Sequence, residues 1–313
     1  MGMASSPFPR NCPALAPRLG LSLSLQVNRI LCEQSRCNLL IFGNPRRILA
    51  LVVAGLSILV ACSASAAGQT ASDELNKGVE AYKSARYAEA IDHFQKAREL
   101  DPSLPMAKTY LATALAQNVV PGLDTPENLK TAQQAIDTFQ QVLANDPHDV
   151  NSLKQVAGIY FAIKKLDEAK AWQKRVLDED PHDPEAAYTI GVINWTLAHK
   201  NVLKALSSVE LNDDGMGNAD APDAVLQTIK AQNSALVEEA LQYLAQAIAN
   251  RPDYDDAMAY LNLVYRRKAD LDWDNEDARK DDLAKAEEWR NRAMKTRRSN
   301  EEKKTSAPNS PQP

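Results

Sequence analysis

An all-α fold, a solenoid of stacked helical hairpins, is predicted by three observations. One segment is written four times: AIDHFQKARELDP ending at Pro102, AIDTFQQVLANDP at Pro147, AKAWQKRVLDEDP at Pro181 and ALQYLAQAIANRP at Pro252. Pro147 to Pro181 is one bare period of 34 residues, the length of a two-helix unit repeated in a row. Aromatic residues make up only 6% of the chain, and no stretch alternates β-branched with polar residues as a half-buried strand would. A repeat of this kind predicts one elongated domain, because a solenoid grows by adding units rather than cores.

The chain begins with a segment of different chemistry. Residues 1–62 hold all four cysteines (Cys12, Cys32, Cys37, Cys62), six arginines, no lysine and one acid, Glu33. Residues 1–43 are read as a non-structural extension, since an export signal rarely has so long a prelude. Residues 44–61 read as a signal peptide: Arg46 and Arg47 precede an apolar run from Ile48 to Ala61, which is short for a bilayer-spanning helix. The flanks of the arginine pair fit a plain positive flank better than a twin-arginine signal. Leu59 to Cys62, LVAC, resembles the bacterial lipobox, and that resemblance implies lipidation of Cys62 and a stable membrane anchor. Ordinary cleavage after Ala64-Ser65-Ala66, giving a soluble periplasmic or secreted protein, is the alternative, and an uncleaved membrane anchor is a third. Residues 62–71 are a linker.

Residues 63–313 carry 30 basic and 40 acidic side chains, a net charge of about −10. A nucleic-acid-binding body would show a basic face, so that class is disfavoured. The body has no cysteine, which excludes disulfides and thiol chemistry there.

Each unit has the same internal order. The first, 72–102, places Gly78 and Ala81 on one helix and Tyr87, Ala90, Phe94, Ala97 and Pro102 on the next. The third, 148–181, repeats it with Leu153, Val156, Ala157, Tyr160, Leu166, Ala169, Val176 and Pro181. Small residues let paired helices approach, and proline stops the second helix because it cannot donate the next hydrogen bond. Over residues 72–298 this pattern resembles the tetratricopeptide repeat (TPR) family, and the resemblance implies a right-handed superhelix of about five units.

The other units are stretched between their helices. The second, 103–147, has eleven extra residues around NVVPGLDTPENLK, and the fourth, 182–252, has 37. In the fourth, LAHKNVLKALSSVEL prolongs the first helix, and from Asp223 the residues Val225, Leu226, Ile229 and Leu236 recur at helical spacing after a Gly-rich turn. This reads as a long inserted helical hairpin projecting from the solenoid edge. The fifth unit, 253–298, is weaker and reads as the terminal cap. Residues 299–313 are polar and Pro-rich, and disorder is expected.

The family resemblance implies that a protein or peptide partner binds the concave face lined by the first helix of successive units. On this sequence that face holds Tyr82 and Lys83, Thr109 and Thr113, Lys154, Gly158 and Phe161, then Tyr188, Val192 and Trp195, then Arg266 and Arg267. Tyr188, Val192 and Trp195 fall at i, i+4 and i+7 and form one stripe, which with flanking cations would suit a segment with apolar anchors and some acid. The competing reading is that these aromatics pack on adjacent helices. The carboxylate clamp of the chaperone-binding members is missing, because Lys154 lacks its companion asparagines and second lysine.

No catalytic residues, cofactor or metal ligands are expected. His148 and His182 sit in two copies of DPHD and read as turn residues, too far apart for one ion. Asp270, Asp272, Asp274 and Asp277 superficially suggest a calcium loop, but Asn275 stands where its glycine belongs and Asp281 where its glutamate belongs, so a solvated acidic turn is expected. The chain is therefore expected to be a non-enzymatic interaction scaffold of the bacterial cell envelope, exported and membrane-anchored in the periplasm, or alternatively soluble there. An architectural homo-oligomer joined through the inserted hairpin is the rival, and a non-catalytic subunit of an envelope enzyme a more distant one.

Overall fold

The computed structural model describes residues 70–306. The extension, the signal segment, Cys62 and residues 307–313 lie outside the described residues. Within them the helices are α1 (Ala71–Lys83), α2 (Tyr87–Leu100), α3 (Pro105–Asn118), α4 (Pro126–Leu143), α5 (Val150–Ala162), α6 (Leu166–Glu179), α7 (Pro184–Ser207), α8 (Asp223–Asn250), α9 (Asp255–Leu271) and α10 (Glu276–Ser306). No strand occurs among the described residues. Each odd helix packs on the even helix after it, and each even helix packs on the next odd one. This is the all-α repeat solenoid that the 34-residue period predicts.

Local chemistry starts these helices where the sequence places a short polar side chain. Thr70 caps α1 in a reciprocal box with Asp73, and Thr125, Asp149 and Asp183 accept backbone N–H bonds at the starts of α4, α5 and α7. Helix pairs close tightly over small residues. A Cβ on Gly78 would lie 2.4 Å from the Phe94 ring, and one on Gly191 would lie 2.5 Å from Leu244 Cγ, so the hydrogen at each position is what lets the paired helix approach.

The apolar interior forms two clusters. One runs through α1 to α6 around Phe94, Ile136, Phe139 and Leu153, and the other through α7 to α10 around Leu206, Leu226, Ile229, Leu244 and Met258. Polar groups bridge the joint between them. Lys170 Nζ binds Asn194 Oδ1 at 3.0 Å and Glu239 Oε2 at 3.1 Å, Lys174 reaches Glu239 Oε1 at 2.6 Å, and Asn194 Nδ2 donates to Glu239 at 2.9 Å.

The inserted hairpin is present, since α7 has 24 residues and α8 has 28, against 13 and 14 in α5 and α6. Its tip does not project freely, and this corrects the sequence expectation. Helix α9 is also lengthened, to 17 residues, and the 208–222 loop folds onto it and onto the start of α10. The insertions in the last two units thus grow together as one packed layer. Two further corrections follow. Residues 299–306, expected to be disordered, continue α10. The acidic turn is not simply solvated: Asp270 is fully buried, and Asp272 and Asp282 share Lys268 Nζ at 2.6 and 2.7 Å. No helix among the described residues is long and apolar enough to cross a membrane.

Candidate functional site

Helix α7 carries the stripe that the sequence singles out. Tyr188, Val192, Trp195 and His199 follow one line down the helix, and α9 packs beside it. The aromatics meet side chains from α9 and from the turn before it. Tyr188 lies 4.9 Å from the Tyr254 ring and 5.6 Å, edge-on, from Tyr260. Trp195 is edge-on to Tyr260 at 5.4 Å and stacks flat on His199 at 5.1 Å. Burial pushes the Tyr188 and Tyr254 phenols well up, so both stay neutral and act as apolar bodies with polar tips. Val192 is buried, whereas Tyr188 and Trp195 are each half-buried. The stripe is therefore both a seam between α7 and α9 and, along its outer edge, an accessible aromatic surface.

The remaining concave-face residues fare differently. Phe161 on α5 is half-buried and belongs to neither apolar cluster. Tyr82 packs on Tyr87 at 5.5 Å, and Lys83 is exposed. The cations mostly do not face the groove, which corrects the expected acid-seeking surface. Lys154 is paired with the buried Asp183, the N-cap of α7. Arg266 donates to the Gly215 carbonyl at 3.0 Å and to Glu287 at 2.6 Å. Arg267 is only 3% exposed, and its Nη2 donates to Asp213 Oδ1 at 3.0 Å while Nη1 lies 3.2 Å from Asp270 Oδ2. Neither arginine is available to a partner as a free charge.

Those arginines belong to a polar knot, buried at Arg267, Asn218 and Asp270, that fixes the 208–222 loop. Asp213 Oδ1 also accepts from Gly215 N and Asn218 Nδ2, Asp214 Oδ1 accepts from Met216 N and Asn218 N, and Asn218 Nδ2 donates to Asp270 Oδ1 at 2.8 Å. Arg279 Nη1 donates to the Met216 carbonyl at 3.1 Å. Burial pushes the Asp270 carboxyl up to about 7 against the pull of Arg267. Burial works the same way on Asp213, but Arg267 and the surrounding donors outweigh it and hold that carboxyl below its ordinary value. His199, lowered by burial and by Arg267, turns Nδ1 toward Asp213 Oδ2 at 3.6 Å without a hydrogen bond.

Two participants escape a reading by face. Tyr254 occupies the position that Asp149 and Asp183 hold in the units before it, and it makes no side-chain cap bond. That break in the repeat was the available signal. Tyr260 stands one place beyond the position matching Tyr188, so family geometry puts it on the helix flank. The histidines of the two DPHD copies serve alike: His148 Nδ1 is 2.9 Å from Glu179 at the end of α6, and His182 Nδ1 is 3.4 Å from Asn250 at the end of α8. No group of three or more His, Cys, Asp or Glu among the described residues could hold a metal ion.

Comparison with known proteins bears on this arrangement at three levels. Two family models described as tetratricopeptide repeat match residues 75–119 and 129–191. RNA polymerase II-associated protein 3 of Homo sapiens is 29% identical over 124 residues, which are 40% of this chain and 17% of that protein. The chain thus spans about a sixth of the length of that curated relative. Among solved structures, MamA 41-end from Desulfovibrio magneticus RS-1 superposes with a TM-score of 0.50 at 17% identity, covering 74% of this chain and 97% of that one, a likeness of fold alone. The first TPR of Spaghetti (RPAP3) bound to HSP90 peptide SRMEEVD is 28% identical, with a TM-score of 0.34 over 42% of this chain and 94% of that one.

Proposed function

From the premise that this is a tetratricopeptide-repeat protein, we propose that it is a non-enzymatic interaction scaffold of a bacterial cell envelope, gripping partner segments on the face formed by its first helices. The observation that carries the groove is that Phe161 and Trp195, equivalent positions 34 residues apart, are both only partly covered on successive first helices, α5 and α7. Large aromatics left partly uncovered supply contact area at little cost in conformational entropy, which is why they anchor recognition surfaces. The envelope assignment is supported by sequence: Arg46 and Arg47, the apolar run to Ala61 and the LVAC string at Cys62. Under this reading Cys62 tethers the protein to the periplasmic side of a membrane, and ordinary cleavage would release it into the periplasm.

A photo-crosslinking residue placed in living cells at 161 or 195 tests the groove, with Lys96, exposed on α2, as the control position. The same partner adduct at both groove positions and not at the control is expected. Adducts that are equal at all three positions, or missing at 161 and 195, refute the assignment. Palmitate labelling of wild type and Cys62→Ala tests the tether, and label persisting in the variant overturns it.

A further inference from the structure

We propose that the tip of the α7–α8 hairpin is a second docking surface, separate from the groove, for a basic amphipathic segment of a partner protein. Four of the large apolar side chains exposed among the described residues crowd into one short stretch: Leu203 at 46%, Val209 at 36%, Leu211 at 40% and Met216 at 48%. Leu203 and Leu211 line an open hollow of about 470 Å³, whose other walls are Ser207, Glu210, Asn212 and Asp213. Two exposed leucines that meet in one hollow with a polar rim form a contact surface, whereas single exposed leucines do not.

The hollow is built rather than incidental. The Asp213–Asp214–Asn218 hydrogen bonds and the three arginines of α9 and α10 hold the loop in one conformation, so a partner meets a preformed surface and little ordering entropy opposes binding. Leu203 lies one turn beyond His199 on the line that carries Trp195, so the surface adjoins the groove without sharing its aromatic residues.

Charge selects the occupant. Residues 199–223 and 266–282, which pack together, carry twelve acids against seven bases, Arg266 and Arg267 included. Arg266 and Arg267 reach into this region from α9, but they are consumed inside it by Gly215, Glu287, Asp213 and Asp270. Glu210 and Asp220 form no ion pair among the described residues. The field at the tip is negative, so a segment with aliphatic anchors and lysine or arginine is drawn in, while an acidic segment or an anionic lipid surface is repelled.

The test uses the full chain and a fluorescent synthetic helix of leucine and lysine, with the same peptide bearing glutamate for lysine as control, read by anisotropy. The lysine peptide is expected to bind and the glutamate peptide not to. Leu203→Ser combined with Leu211→Ser removes the exposed apolar surface of both leucines and is expected to weaken binding at least about tenfold. Glu210→Lys is expected to weaken it severalfold and flatten its salt dependence. Phe161→Ala, on α5 and outside both apolar clusters, is expected to leave it unchanged. The proposal is overturned if the two peptides bind alike, if the leucine variant binds as wild type does, or if Phe161→Ala abolishes binding. It is equally overturned if the tip binds anionic vesicles instead, or if light scattering shows a dimer that the leucine variant dissolves.

Discussion

Replacing Arg267 with methionine should loosen the last two repeats, and by more at alkaline than at acid pH. The guanidinium is 3% exposed and lies between Asp213 and Asp270, the latter fully buried. Methionine keeps much of the apolar stem but leaves two carboxylates without their cation. Breaking a buried pair in this way costs about 3–5 kcal/mol, which at about 2–4 °C per kcal/mol for a body of this size lowers the first melting transition by roughly 6–20 °C. The pH dependence follows from Asp270, which holds its proton more tightly folded than unfolded. Ionised Asp270 opposes docking of the loop above about 7, and that opposition fades as the pH falls toward the ordinary value of 3.8. Arg267 holds this carboxyl down, so without it the group titrates higher still. Wild type and variant therefore differ least where both carry a protonated Asp270, below about 7, and the gap widens above it by at most about 1.4 kcal/mol per pH unit. Circular-dichroism melting at about pH 6 and about pH 9, with amide exchange at Gly215, Gly217 and Asn218, measures both effects. An unchanged melt, or the same loss at the two pH values with the loop still protected, refutes the buried-knot account.

Two further outcomes are expected. Gly191→Ala forces a methyl to within 2.5 Å of Leu244 Cγ in the interior, and the resulting overpacking, about 1–3 kcal/mol, should exceed the gain in helix propensity of about 1 kcal/mol; a variant that melts at or above wild type disproves the close approach of α7 and α8. Glu74, a buried carboxylate bonded by Lys77 at 2.9 Å and by His93 at 2.7 Å, is held down to about 2, so it stabilises the first repeat above about 4.5 and loses that contribution as the pH falls through 2. Carbon-13 NMR titration of its carboxyl reads this directly, and ordinary titration near 4.5 would falsify the pairing.

The Gly78–Phe94 contact was legible in the recurring order of a small residue on the first helix and a large one on the second, an order that Gly191 and Leu244 keep in the fourth repeat and that Gln173 breaks in the third. The stripe of Tyr188, Val192 and Trp195 was equally legible from its spacing along one helix. Its partners were not, because Tyr254 and Tyr260 come from a turn and a helix more than fifty residues away, and periodicity describes one helix at a time. For the same reason Arg266 and Arg267 read as groove cations, although each is spent on a loop that the sequence shows only as Gly-, Asn- and Asp-rich.

What the sequence by itself determined is the repeat: all-α class, paired helices, and the places where extra residues enter. Those follow from local rules of periodicity, capping and side-chain size, each acting within one turn or one helix. What only the tertiary structure decided is the fate of the insertions and of the charges. The lengthened α7, α8 and α9 could have projected separately; they pack together because Val202, Leu206, Leu226, Ile229, Val264 and Leu271 share one buried cluster, and the loop closes over α9 by bringing Asp213 to Arg267 and Asn218 to Asp270. Burial sets whether a charged side chain recognises a partner or holds the fold, and burial depends on which segments meet in space.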